Sequence, residues 1–360
     1  MRKINYHIKY LTKPRTLWVL IVTCILGNLQ AQDPQFSQYY STPLYTNPGL
    51  TGAQPNISFG VNYRKQSLNL PVPRETGQFS AIIPIYESGS ESRHLGGVGG
   101  TVFQEKAGGD GLLTTTGIMA SAAYNINLKF DGSEVVQVGI QGGWIQKSVD
   151  LSKLTFGSQY NRFLGFDPSI SPNLTGIGEQ TSYPVINAGV MYYFNPHRSY
   201  VLYTGSAFGG FSVSNINGPN DSFLDDPNIK SALPMLFRAH GGVEFYLSSK
   251  LRWSPQILAL YQNTQLQFNV GTYFSYDVKN SAAFDGKFFE VILGLWYRWK
   301  DSGIISVGVN APTYTIGFSY DLNVNDFNAI GSGTGGTFEV SLSFKILKDD
   351  GIRNFSTPLI

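Results

Sequence analysis

The property that most limits what this chain can fold into is a two-residue rhythm of apolar and polar side chains, repeated in segment after segment. Ile57, Phe59, Val61 and Tyr63 alternate with Ser58, Gly60, Asn62 and Arg64. Val136, Val138, Ile140 and Trp144 are set against Gln137, Gly139, Gln141 and Gly143 in the same way. Near the end, Phe338, Val340, Leu342, Phe344 and Ile346 oppose Glu339, Ser341, Ser343 and Lys345. Successive side chains of a strand point to opposite faces, so each segment reads as a strand with one apolar and one polar face. The rhythm predicts about fourteen strands, at 57–64, 74–85, 95–107, 112–128, 133–148, 181–194, 199–214, 237–247, 251–262, 264–278, 289–298, 301–310, 312–322 and 338–346.

What precedes the strands says where the chain goes. Arg2, Lys3, Lys9, Lys13 and Arg15 occur without an acid before the apolar run Leu17–Leu26, which at about ten residues is too short to cross a bilayer as a helix. With a small residue, Ala31, before Gln32, residues 1–31 read as a signal peptide and are set apart from the fold. Without those five cations the chain carries 21 basic against 24 acidic side chains, so its apparent positive charge vanishes and nucleic-acid binding has no electrostatic basis. The single cysteine, Cys24, lies in the signal, which excludes disulfides and thiolate metal sites from the mature chain.

An exported chain of about 330 residues, rich in glycine and aromatics and poor in charge, suits a transmembrane antiparallel β-barrel, which needs apolar residues toward lipid only at every second position. A soluble sandwich also alternates, but would have to bury every one of these aromatic rows between two sheets. Loop lengths favour the barrel. The long loops 149–180, 215–233 and 323–336 follow strands 5, 7 and 13, all odd, while most connections after even strands are tight. Outer-membrane barrels carry long loops outside and short turns in the periplasm, which places both termini in the periplasm.

Catalytic signals are weak. His94, His197 and His240 lie in separate segments, and neither an HExxH nor a GxSxG motif is present. His240, with Arg238 and Glu244 on one strand face, is the best candidate for a hydrolase centre. Lumen charges that pair with one another explain these residues equally, together with Arg64, Glu290, Arg298, Glu339 and Lys345. Asp221, Asp225 and Asp226 lack the spacing of a calcium loop. Tyr192, Tyr193, Trp296, Tyr297 and Trp299 read as interfacial girdle aromatics or as sugar-stacking platforms. No cofactor is expected.

One stretch fits neither strand nor helix. Gln32–Gly52 combines Pro34, Pro43, Pro48, Gly49 and Gly52 with Phe36, Tyr39, Tyr40, Leu44 and Tyr45, so it should lie against something: its own domain or a partner. Its opening, Gln32-Asp33-Pro34-Gln35-Phe36-Ser37-Gln38-Tyr39, followed by Asn47-Pro48-Gly49 and Thr51-Gly52, resembles the mature start of PorP/SprF-type membrane proteins of the type IX secretion system. Tyr124-Asn125-Ile126-Asn127-Leu128, Leu151-Ser152-Lys153-Leu154, Pro172-Asn173 and Ile316-Gly317-Phe318-Ser319-Tyr320-Asp321 extend the resemblance over the mature chain. Gly49 stands where the family usually has alanine, and a tail ending in Ile360 follows the last strand.

The resemblance implies a non-enzymatic outer-membrane component of type IX secretion. It implies a partner barrel for export or surface anchoring of a large adhesin, as in gliding motility, or alternatively a core barrel bound to a peptidoglycan-associated periplasmic lipoprotein. A porin-like diffusion channel is the reading from another class. The expected organisation is a signal peptide 1–31, a periplasmic N-terminal segment 32–55 in or under the barrel mouth, a barrel 56–348 and a tail 349–360. Asp33, Pro34, Gln35, Phe36, Ser37, Gln38, Tyr39, Asn47 and Pro48 are the candidate partner contacts.

Overall fold

The computed structural model describes residues 35–66, 73–87, 94–108, 111–129, 133–163, 165–167, 169–170, 178–194, 205–224, 231–278, 289–324 and 335–346. The signal peptide 1–31, the tail 349–360, Asp33, Pro34, the Pro172-Asn173 pair, the turn 195–198 with His197, and Asp225 and Asp226 lie outside the described residues.

Fourteen antiparallel strands form a closed barrel: β1 (Ile57–Gln66), β2 (Arg74–Tyr86), β3 (His94–Ala107), β4 (Leu113–Asn127), β5 (Glu134–Val149), β6 (Gln180–Phe194), β7 (Ser206–Ser214), β8 (Leu236–Tyr246), β9 (Leu251–Gln262), β10 (Gln265–Asp277), β11 (Glu290–Arg298), β12 (Ser302–Asn310), β13 (Tyr314–Asn323) and β14 (Thr337–Ile346). Each strand pairs with its sequence neighbour, and β1 pairs with β14 in a register that sets Val61 opposite Leu342 and Arg64 opposite Glu339. Closure leaves no strand edge exposed, the condition for crossing lipid with strands. The shortest strands have nine residues, which at about 3.4 Å each reach roughly the 30 Å of a hydrocarbon core.

The alternation becomes an inside and an outside. Val61 (48 % exposed) and Ile140 (66 %) point outward with Val98, Phe268, Leu295 and Leu342, whereas Arg64 (4 %) and Glu339 (0 %) are enclosed. Inside, Gln141 donates from Nε2 to Ser121 Oγ at 2.8 Å and accepts from Asn187 Nδ2 at 2.7 Å, so neighbouring strands are tied by side chains as well as by the ladder.

One feature differs from the sequence reading. The inner face is not uniformly polar, since Leu236, Leu258, Leu260, Tyr273, Ile292, Trp296 and Ile304 make an apolar inner wall on β8–β12. On β11 both faces are apolar, so alternation in polarity says little there. Trp296 and Tyr193 therefore depart from the girdle expectation. Trp296 stands in the lumen, buried, and Tyr193 packs against Leu50, Met191 and Phe208, while Tyr192, Tyr297 and Trp299 remain on the exposed face.

Candidate functional site

Residues 35–56 are not a flap outside the barrel. They run through its lumen in short turns: a 3-10 turn at Tyr39–Ser41, one α-helical turn at Pro43–Thr46 and a second 3-10 turn at Pro48–Leu50. The prolines start two of these turns at the position where a missing N–H costs nothing. The Asn47 side-chain oxygen accepts from the Gly49 amide at 2.8 Å, which folds Asn47-Pro48-Gly49 into its turn. Backbone groups left over by such short turns need partners, and the lumen wall supplies them. Gln141 Nε2 donates to the Leu44 carbonyl (3.0 Å), Ser212 Oγ to the Thr46 carbonyl (2.9 Å) and Gln137 Nε2 to the Thr51 carbonyl (2.7 Å).

At one end the segment is held by charge. Glu339 of β14 accepts the amides of Ser37 (2.7 Å) and Gln38 (3.2 Å). Ser37 Oγ donates to Asp321 Oδ2 (2.6 Å) and accepts from Arg64 Nη1 and Arg298 Nη2, each at 3.1 Å. Arg64 and Arg298 flank Asp321 at 3.4 and 3.3 Å, and Arg64 also donates to the Gln35 carbonyl. The Gln38 amide group spans β13 and β14: its nitrogen donates to the Glu339 carbonyl (3.0 Å) and Ser319 Oγ (3.2 Å), and its oxygen accepts from Ser341 Oγ (2.7 Å).

The middle is aromatic. Tyr39 meets Trp296 edge-on with ring centroids 5.5 Å apart and donates its hydroxyl to Gln256 of β9. Tyr40 packs on Tyr273 at 5.2 Å, and Tyr45 lies between Phe36, Phe103 and the Arg238 guanidinium, which sits 5.2 Å from its ring centroid. Such edge contacts add to the apolar burial of each ring.

At the other end the fit is steric. Asn47 Nδ2 lies 3.1 Å from the Val190 carbonyl and 3.2 Å from His240 Nε2. Glycines in the wall let the segment approach: a Cβ on Gly97 would stand 2.6 Å from Gly52 Cα, one on Gly139 would meet the Pro48 carbonyl and stand 2.6 Å from the Gly49 nitrogen, and one on Gly189 would run into the Asn47 side-chain oxygen. This wall is moulded to the backbone inside it.

The sequence-predicted charges fall into two belts. Arg64, Arg298 and Glu339 join Asp321 near the strand ends that lead into odd-numbered loops. Glu244 and Glu290 lie near the opposite ends of β8 and β11, where Arg252 Nη1 is 3.6 Å from Glu244 and Nη2 pairs with Glu290. Lys345 lies at that same end, on the lumen side of β14. Arg238 stands apart, donating to Ser214 Oγ at 2.6 Å. Asp321 and Arg252 were missed as members, although the phase of alternation on their strands marks both. Of the predicted partner contacts, Phe36, Ser37, Gln38, Tyr39, Asn47 and Pro48 are buried inside the barrel and Gln35 is partly exposed.

His240 is enclosed by Asn47, Tyr39 and Phe208, and its Nδ1 has no hydrogen-bond partner among the described residues, so no carboxylate there orients the ring as a triad base requires. Asp221 is engaged by Lys147 Nζ at 2.8 Å. Among the described residues no group of histidines and carboxylates is arranged to hold a metal.

The chain matches the family model for the type IX secretion system membrane protein PorP/SprF over residues 28–344. No curated protein sequence matches it. Among solved structures it resembles the Ralstonia pickettii toluene transporter TbuX, at 11 % identity and TM-score 0.48 over 85 % of this chain and 94 % of that one. It also resembles the CymD monoaromatic hydrocarbon channel (10 %, 0.40, over 86 % and 93 %) and the KdgM porin (7 %, 0.34, over 81 % and 99 %). At these scores the likenesses carry no argument about function.

Proposed function

The chain belongs to the PorP/SprF family of type IX secretion system membrane proteins and is an integral outer-membrane barrel, and from that premise we propose that it is a closed, non-enzymatic partner barrel that holds a large exported adhesin at the cell surface through the adhesin's C-terminal domain. The observation that carries this reading is the occupied lumen. Residues 36–52 are bonded or packed against strands on every side of the barrel, so a solute would have to displace a segment held by buried charges, aromatic contacts and a glycine-moulded wall. That arrangement suits a scaffold whose working surfaces are its rims and loops better than it suits a diffusion channel.

The long loops are the surface offered to a protein that arrives from outside. Within the loop between β5 and β6, Tyr160–Asn161 pairs with Gly165–Phe166 in a small hairpin that leaves Tyr160 (67 % exposed) and Phe163 (90 %) facing solvent. Exposed aromatics of this kind are favoured contact residues in protein interfaces. In this reading the motif residues 35–39, 47 and 48 act as the seal of the barrel.

Two measurements test the proposal. Isolation of the protein from outer membranes in mild detergent is expected to bring with it a large surface protein with a secretion-type C-terminal domain, and deletion of the gene to remove that protein alone from the surface. Loss of every type IX substrate would instead indicate a core role beside a periplasmic lipoprotein. Steady ion conductance of the unmodified protein in a planar bilayer would establish the diffusion channel and overturn the closed barrel.

A further inference from the structure

We infer that the lumen segment threads the barrel from rim to rim, so that Gln35 opens at the rim of the odd-numbered loops, on the cell surface, and not toward the periplasm. The inference rests on the proposed orientation, with odd-numbered loops outside.

The order of contacts along single strands carries it. On β5, which climbs from the even-turn rim to the odd-loop rim, Gln141 binds the Leu44 carbonyl, Gly139 abuts Pro48 and Gln137 binds the Thr51 carbonyl. Later residues of the segment therefore sit lower. On β13, which climbs in the same direction, Asp321 holds Ser37 while Ser319 and Gly317 meet Gln38. Earlier residues sit higher. The Gln35 carbonyl is bound by Arg64, two positions from the upper end of β1, and the charged group around it is completed by Arg298, which is the last residue of β11, and by Asp301 in the odd-numbered turn beyond. At the opposite rim the Pro55 carbonyl accepts from Tyr86, the last residue of β2, immediately before β1 begins.

The segment thus enters at the rim where odd-numbered loops leave and exits where β1 starts. Ser37 is its upper anchor. The charge-assisted contacts to Ser37 form a latch that holds the segment at this rim.

Single cysteines decide the question, since Cys24 lies in the expected signal and the chain has no other cysteine. Four variants are labelled with a membrane-impermeant maleimide, in intact cells and again after the outer membrane is opened: Gln35→Cys, Gln54→Cys, Thr264→Cys in the odd-numbered turn between β9 and β10, and Ser249→Cys in the even-numbered turn between β8 and β9. Heat-dependent gel mobility reports that each barrel is folded. The expected result is that Gln35→Cys and Thr264→Cys label in intact cells, while Gln54→Cys and Ser249→Cys label only in opened ones. If Ser249→Cys labels in intact cells and Thr264→Cys does not, the orientation is wrong, and threading then stands only if Gln35→Cys still follows Thr264→Cys. Threading is overturned if Gln35→Cys follows Ser249→Cys, if it labels in neither preparation, or if Gln54→Cys labels together with Thr264→Cys.

Discussion

Replacing Glu339 by alanine should release the upper end of the lumen segment while leaving the barrel intact. The carboxylate is fully enclosed and accepts two backbone amides, from Ser37 at 2.7 Å and Gln38 at 3.2 Å. Hydrogen bonds to a charged group contribute about 1.5–3 kcal/mol each, so the latch loses roughly 3–6 kcal/mol. At about 1.4 kcal/mol per tenfold, the opening equilibrium of this end rises by roughly 10² to 10⁴. Arg64 keeps Asp321 at 3.4 Å, so the change does not strand a buried cation. The two amides that lose their acceptor are themselves the probes. Hydrogen exchange of purified protein in detergent, followed by mass spectrometry of a peptide covering residues 36–40, should show their exchange accelerated by that factor, with the strand amides of β5 and β11 unchanged. Glu339→Gln retains a carbonyl acceptor and should give a smaller acceleration. Unaltered exchange at Ser37 and Gln38 in a folded Glu339→Ala barrel would refute the latch.

Further consequences follow from other parts of the wall. Gly139→Ala forces a methyl against the Pro48 carbonyl and should cost the about 1–3 kcal/mol typical of overpacking, whereas Gly142→Ala on the same strand meets nothing within 4 Å and should be neutral; urea unfolding followed by gel mobility compares them. Trp296→Ala removes a ring packed on Tyr39 and Tyr273 and should destabilise the barrel by about 3–5 kcal/mol, read as a lower urea midpoint. Ile140→Arg places a cation on the lipid face near mid-strand and should lower the stability measured on refolding into liposomes by about 2–4 kcal/mol.

A strand's two faces are written locally, because neighbouring side chains must point opposite ways and lipid accepts only apolar ones. That is why the sequence by itself determined the number of strands and, for most of them, their bounds to within a few residues. The rule weakens where the lumen is itself apolar: Ile292 and Trp296 share the inward face of β11 with Glu290 and Arg298, but nothing local distinguishes a tryptophan that packs on Tyr39 from one at the membrane interface.

Gln32–Gly52 was legible only as a stretch too aromatic to be a linker and too broken to be a helix. The place of residues 35–52 depends on groups far away in the chain, Glu339 and Asp321 for Ser37, Gln141 for Leu44, Gly139 and Gly189 for the Asn-Pro-Gly turn. These meet only after the barrel has closed. The tertiary structure alone decided that the segment lies inside, which way it runs, and that the motif residues first read as partner contacts are occupied by the barrel that carries them. Periodicity reports a residue's two neighbours, whereas the occupant of a lumen is selected by side chains from nearly all the strands at once.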